Sequence, residues 1–214
     1  MTELKNRRPL TSRDTGWAKK ISQSLAARNI TPNQISVASM AAGLMAGLAF
    51  WGAGAAWGGV LSGCLLVVAA LGCQLRLLCN LFDGMVAIEA GKSALDGAFW
   101  NEFPDRVSDI LIFVGLGFGL GMPGLGWAAA ALSVLTAYTR ELGANIGLEP
   151  DFCGPMAKQH RMAVVTLAAL LAIAEMVWRA TDVVLIGALW IVVVGAGVTI
   201  LRRAQRIRQG LLKG

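Results

Sequence analysis

The 214-residue chain is 56% hydrophobic and only 15% charged, whereas soluble domains average about a quarter charged. That balance excludes an ordinary soluble enzyme and predicts a membrane protein. The net charge of +6 does not point to nucleic acid, because the Lys and Arg residues collect at the ends of apolar runs, where membrane orientation and anionic headgroups account for them.

Residues 1–30 are polar and basic. Within them Trp17, Ile21 and Leu25 recur every four positions, while Lys19, Lys20 and Arg28 lie off that stripe. This pattern predicts a short amphipathic helix lying on the membrane surface. The segment opens without a short apolar core, so no cleavable signal is expected and the first span serves as an uncleaved insertion signal.

Thr31-Pro32-Asn33-Gln34 reads as a helix start, with Thr31 as N-cap, Pro32 at the first helical position and Gln34 closing a capping box. No charged residue follows from Asn29 to Leu75, and none again from Ile110 to Thr139. A spanning helix needs about 20 apolar residues. Six spans are predicted: 33–50, 60–82, 97–120, 127–147, 158–178 and 183–201. The turns at 52–59 and 121–126 are small-residue and uncharged. The fold class is thus an all-α bundle of six transmembrane helices, divided as a juxtamembrane segment (1–30), the membrane domain (31–205) and a basic tail (206–214).

Nearly all Lys and Arg fall in the N-terminal segment, the 83–106 hairpin, the 140–161 region and the tail, while the opposite side has only Arg179. By the positive-inside rule both termini and these loops are cytoplasmic. Cys64, Cys73, Cys79 and Cys153 form no C-x-x-C pair and read as small apolar residues rather than zinc ligands or a disulfide. Gly43 and Gly47 form a G-x-x-x-G that lets helices approach closely.

The chemistry concentrates between Asn80 and Asp109. Carboxylates at the mouth of apolar spans are costly unless paired, hydrated or bound to cations. Asn80, Asp83 and Ala87 share one helical face, as do Asn101, Asp105 and Asp109. Joined as a hairpin through Gly91-Lys92-Ser93, the two helices aim Asp83 and Asp105 into one cleft. Such oxygen-rich clusters suit hard cations such as Mg2+. Gly91-Lys92-Ser93 is not a P-loop, because the glycine required five residues earlier is Val86.

This stretch resembles the signature of the CDP-alcohol phosphotransferases, D-x2-D-G-x2-A-R-x8-G-x3-D-x3-D. Here it reads Asn80, Asp83-Gly84, Ala87-Ile88, Gly97, Asn101 and Asp105, with every spacing kept. Asn80 and Asn101 stand in place of aspartates, and Ile88 in place of the arginine. The Thr31-Pro32-Asn33 entry to the first span also resembles the family.

The resemblance implies a multi-pass enzyme of phospholipid synthesis, in the cell (inner) membrane if bacterial, with a cytoplasmic active site. It would transfer a phosphatidyl group from CDP-diacylglycerol to an alcohol, releasing CMP with Mg2+ or Mn2+. It implies that Asp83 and Asp105 are metal ligands, with Asn80 and Asn101 as carbonyl donors, and that Asp105 is also the general base. Gly84, Ala87 and Gly97 would let the nucleotide approach the helix backbones. Arg140, Lys158 and Arg161 would bind phosphate oxygens of lipid or acceptor. Glu89, Glu102 and Asp109 are candidates to restore charge lost at the asparagines. Membrane lipids are the expected surroundings, and a homodimer is implied by resemblance alone.

Two readings compete. The asparagines and the missing arginine are compatible with a catalytically impaired member that binds lipid or nucleotide, or scaffolds other membrane proteins. A small transporter would use Asp83 or Glu175 as an intramembrane charge, but no inverted repeat is evident.

Overall fold

The computed structural model describes residues 15–89, 96–179 and 181–212. Among them it forms seven α-helices and no strand: α1 (Gly16–Ala27), α2 (Pro32–Ala55), α3 (Val60–Glu89), α4 (Gly97–Gly119), α5 (Pro123–Asn145), α6 (Lys158–Arg179) and α7 (Val183–Leu211). The all-α class expected from the sequence is what folds, with six long helices after residue 30. Four of them, α2, α3, α6 and α7, are long and apolar enough to cross a membrane. The connection expected at Gly91-Lys92-Ser93 lies outside the described residues, as do residues 1–14.

Helix ends follow local chemistry. The Thr31 hydroxyl accepts from the Gln34 amide at 3.2 Å, and the Gln34 side chain accepts from the Thr31 amide at 2.9 Å, closing the capping box that starts α2. The fourth long helix begins at Pro123 rather than near Trp127, because proline fits the first helical turn, where its missing N–H costs nothing. The last helix continues to Leu211, so most of the basic tail is the solvated end of α7. With 30 residues, α3 is about 45 Å long against a hydrocarbon core of about 30 Å. Its surplus turns carry Arg76, Asn80 and Asp83.

The six long helices close into a ring. The main contacts run in the order α2, α3, α6, α7, α5, α4 and back to α2, with a smaller contact between α3 and α4. The ring interior is filled mainly by alanines with Phe50, Leu66, Ile112, Phe113, Leu116, Met162 and Leu189. Leu48, Trp51, Leu71, Leu171, Trp190 and Val194 point outward and are exposed; an apolar surface of this kind is stable against lipid, not water.

The α2–α4 contact depends on glycine. A Cβ at Gly47 would meet the Leu111 carbonyl, and one at Gly115 would meet the Gly47 carbonyl. The G-x-x-x-G of α2 is therefore a helix interface, with Ser108 of α4 against Gly43.

The short helix α1 packs on α3 through Ala18 and Ser22, both buried. The Trp17/Ile21 stripe lies one residue away and stays outward, half-exposed at 50% and 42%. Trp17 still meets Phe82 edge to face at 6.1 Å.

Candidate active site

Four helices bring their polar residues to one end of the ring. From α3 come Arg76, Asn80 and Asp83, spaced one helical turn apart. From α4 come Asp105 and Asp109, from α6 Lys158 and Arg161, and from α2 Ser36. Pro104 interrupts α4 immediately before Asp105 and removes one backbone hydrogen bond there.

Asp83 and Asp105 are 6% and 3% exposed. Asp83 accepts a hydrogen bond from the Ser36 hydroxyl at 3.1 Å. The Lys158 ammonium donates to Asp105 Oδ2 and, at 3.1 Å, to Asn80 Oδ1. It thereby joins α6 to both α3 and α4. The Asn80 amide donates to the Arg76 carbonyl at 3.0 Å, which turns Oδ1 toward the lysine. Asp105 Oδ1 is buried without a hydrogen-bond partner, 3.4 Å from Arg76 Nη2. Arg106 stands 3.9 Å from Oδ2.

Behind this layer Asp109 is fully buried between Arg76 at 2.7 Å and Arg161 at 2.6 Å. Arg161 also donates to the Met156 carbonyl at 2.9 Å and to Thr136 at 3.2 Å. Two sequence expectations change here. Asp109 does not restore charge to the cleft, because both its oxygens are held by arginines. Arg161 does not face the cleft as a phosphate ligand, because both its terminal nitrogens brace α6 against α4 and α5.

Asn101 and Glu102 lie farther out. The Asn101 amide donates to Glu102 at 3.4 Å, and its side chain is exposed. Glu102 bridges Arg106 at 2.7 Å and Arg140 at 2.5 Å, so its charge is also already engaged. Arg140 further pairs with Glu141 and lies over the Phe152 ring at 5.5 Å. A cavity of about 290 Å³ opens beside it between α5, α7 and the 148–151 loop, lined by Thr139, Arg140, Glu149, Asp151 and Arg206. Burial pushes the Asp151 carboxyl up, but hydrogen bonds from Cys153 and the charges of Arg206 and Arg203 outweigh it and leave the group below its ordinary value.

Gly84, Ala87 and Gly97 are all partly accessible. Among the described residues, a Cβ added at Gly97 would meet nothing within 4 Å. His160 points to the Pro155 carbonyl at 2.8 Å on the exposed side, away from the carboxylates. Nothing is described for the Glu89 side chain. The sequence reading missed Ser36, Thr136 and the bridging role of Glu102. Ser36 had a signal, since it lies one turn into the helix that the capping box starts.

Among the described residues no group of three His, Cys, Asp or Glu side chains converges as a metal site. The donor chemistry still fits a hard cation. Asn80, Asp83 and Asp105 offer oxygen only, and Asp105 Oδ1 is a buried acceptor with no donor.

A ring of apolar helices with buried carboxylates and cations at one end is the build of an integral-membrane protein with a polar site at one end of its helix ring. No family model matches the chain. It is 27% identical over 190 residues to the phosphatidylinositol phosphate synthase of Streptomyces avermitilis, covering 85% of this chain and 74% of that protein. To the synthase of the same name from Mycolicibacterium smegmatis it is 24% identical, covering 89% and 83%. The Mycobacterium tuberculosis phosphatidylinositol phosphate synthase with CDP-DAG bound superposes with a TM-score of 0.73 at 19% identity, over 89% of this chain and 92% of that one. The structure of the same enzyme with manganese and citrate gives 0.72 at 19% identity, over 89% and 88%. The signature spacing kept from Asn80 to Asp105 and the likeness to these synthases support a place among the CDP-alcohol phosphotransferases.

Proposed function

We propose that this protein is a membrane phosphatidyltransferase that moves the phosphatidyl group of CDP-diacylglycerol onto an alcohol and releases CMP. The observation that carries the reading is the pair Asp83 and Asp105. They stand at the signature positions of α3 and α4, and both are buried, Asp105 against the Lys158 ammonium. The named relatives favour an inositol phosphate as the alcohol.

In the reaction the acceptor oxygen attacks the phosphatidyl phosphorus, and the bond from that phosphorus to the CMP oxygen breaks. Asp105 takes the proton of the acceptor hydroxyl, a step that general bases accelerate by about 10²–10⁴-fold. Asn80, Asp83 and Asp105 would hold the divalent cation, Mg2+ or Mn2+, with Asn101 joining by turning away from Glu102. The ion supplies positive charge against the diphosphate. Gly84, Ala87 and Gly97 leave room for the nucleotide. Arg140, beside the cavity and freed from Glu102, binds the acceptor phosphate.

The reading extends to topology. The six long helices span the bilayer, α1 lies on its surface with Trp17 and Ile21 toward lipid, and both termini and the site face the cytoplasm. The protein works as a homodimer.

The test is CMP release from CDP-diacylglycerol by purified protein, with Mg2+ or Mn2+ and a panel of alcohols that includes inositol phosphate. Release that depends on both the acceptor and the cation supports the reading. No release above the protein-free rate with any acceptor would overturn it.

A further inference from the structure

We propose that the site works with a single divalent ion, and that the Lys158 ammonium is a tethered cation in the place of a second one. The proposal rests on the transferase reading and concerns how its site balances charge. Lys158 is the first residue of α6, and its ammonium is seated on two of the four signature positions, Asn80 and Asp105. The lysine therefore sits inside the constellation of oxygen donors, not in the cavity beside Arg140, whose lining does not include it.

Charge balance gives the reason. Three buried carboxylates, Asp83, Asp105 and Asp109, stand against two buried arginines, Arg76 and Arg161, and the partly exposed Lys158 ammonium. With Arg106 counted against its partner Glu102, the cluster is neutral as it stands. One divalent ion matches the two ionised phosphates of the donor diphosphate. A second would leave two positive charges uncompensated beside carboxylates only 6% and 3% exposed, which is unfavourable. An aspartate at position 80 would have provided for it, whereas the amide present adds no charge and accepts an ammonium hydrogen bond instead.

The ammonium is also suited to the chemistry. Lysine has three rotatable donors on a flexible stem, and about a third of this side chain is exposed. It can keep Asn80 and Asp105 while donating to a phosphoryl oxygen as charge builds there. Lys158 is thus a charge-supplying residue whose ion pair with Asp105 also limits how tightly the divalent ion is held.

The experiment is Mn2+ titration of the detergent-purified full chain, followed by electron paramagnetic resonance, for wild type, Lys158→Met and Lys158→Arg. Wild type is expected to bind one Mn2+ per chain. Lys158→Met, relieved of the competing ammonium, should bind Mn2+ about tenfold tighter while CMP release falls at least tenfold. Lys158→Arg keeps the charge and the fold, and should hold Mn2+ within about threefold of wild type. Two Mn2+ ions per wild-type chain, none, or unchanged or weaker binding in Lys158→Met would each overturn the proposal. The metal readout does not depend on turnover. One-ion binding with lysine-dependent affinity in a protein that releases no CMP would sink the transferase reading alone.

Discussion

Arg161 of α6 and Asp109 of α4 meet at 2.6 Å, and neither is more than 2% exposed. The pair is completed by Arg76 at 2.7 Å on the other carboxylate oxygen, so one aspartate ties three helices of the ring together. Removing one partner of a buried ion pair costs about 3–5 kcal/mol, because the charge left behind is uncompensated. Asp109→Asn leaves two arginines in that position. Its thermal unfolding midpoint in detergent should fall well below that of wild type, and an unchanged midpoint would show that the pair is not a brace.

The α2–α4 interface makes a separate prediction about packing. Gly47→Ala puts a methyl group against the Leu111 backbone carbonyl, which cannot move aside as a flexible side chain would. Overpacking of this kind costs about 1–3 kcal/mol. Gly124→Ala is the control, since a Cβ there meets nothing within 4 Å. A thermal shift in Gly47→Ala with none in Gly124→Ala is expected; equal midpoints would mean that the helices do not meet at Gly47.

What the sequence made legible was periodic. Charge-free runs gave the long helices, Thr31-Pro32-Asn33-Gln34 gave the start of α2, and the 80–105 spacing gave Asp83 and Asp105. The partners of those residues were not legible, because they come from other helices at no fixed spacing. Lys158 lies 53 residues from Asp105, and Arg161 lies 52 from Asp109. A positive charge at a helix mouth reads the same from sequence whether it sets topology, binds phosphate or pairs with an aspartate. Only the ring closure of α3, α4 and α6 decides that Arg161 braces the core and Lys158 enters the cleft. Helix ends were missed where polar residues continue a helix into water, as in α3 and α7.

Topology is tested with single cysteines in a background lacking the four native ones. Gly97 begins α4, Gly124 lies in the first turn of α5, and neither position is crowded. Gly97→Cys should label from the cytoplasmic side and Gly124→Cys from the outer side. Labelling from one side would show that α4 does not cross the bilayer.

Asn80→Asp adds a carboxylate beside Asp83 and Asp105, so Mg2+ should bind about tenfold tighter, equivalent to about 1.4 kcal/mol. Asn101→Asp should tighten it less, because that side chain is exposed and turned to Glu102. Isothermal titration distinguishes the two, and no change in Asn80→Asp would mean that position 80 does not face the ion.

The last prediction separates an enzyme from a scaffold. Asp105→Asn removes a charge and a proton acceptor with almost no change in volume. The fold should survive, since Arg76 keeps Asp109 and the Lys158 ammonium is partly hydrated. Loss of the base alone should lower CMP release by at least about 10²-fold. Asp83→Asn keeps an oxygen for the Ser36 hydroxyl but removes charge facing the cation, and should lower turnover comparably. Asp182 makes no side-chain cap bond at the start of α7, so Asp182→Asn should leave turnover intact. If wild type and Asp105→Asn released CMP equally slowly with every acceptor, Asp105 would not be a base and a binding or scaffolding role would have to replace catalysis.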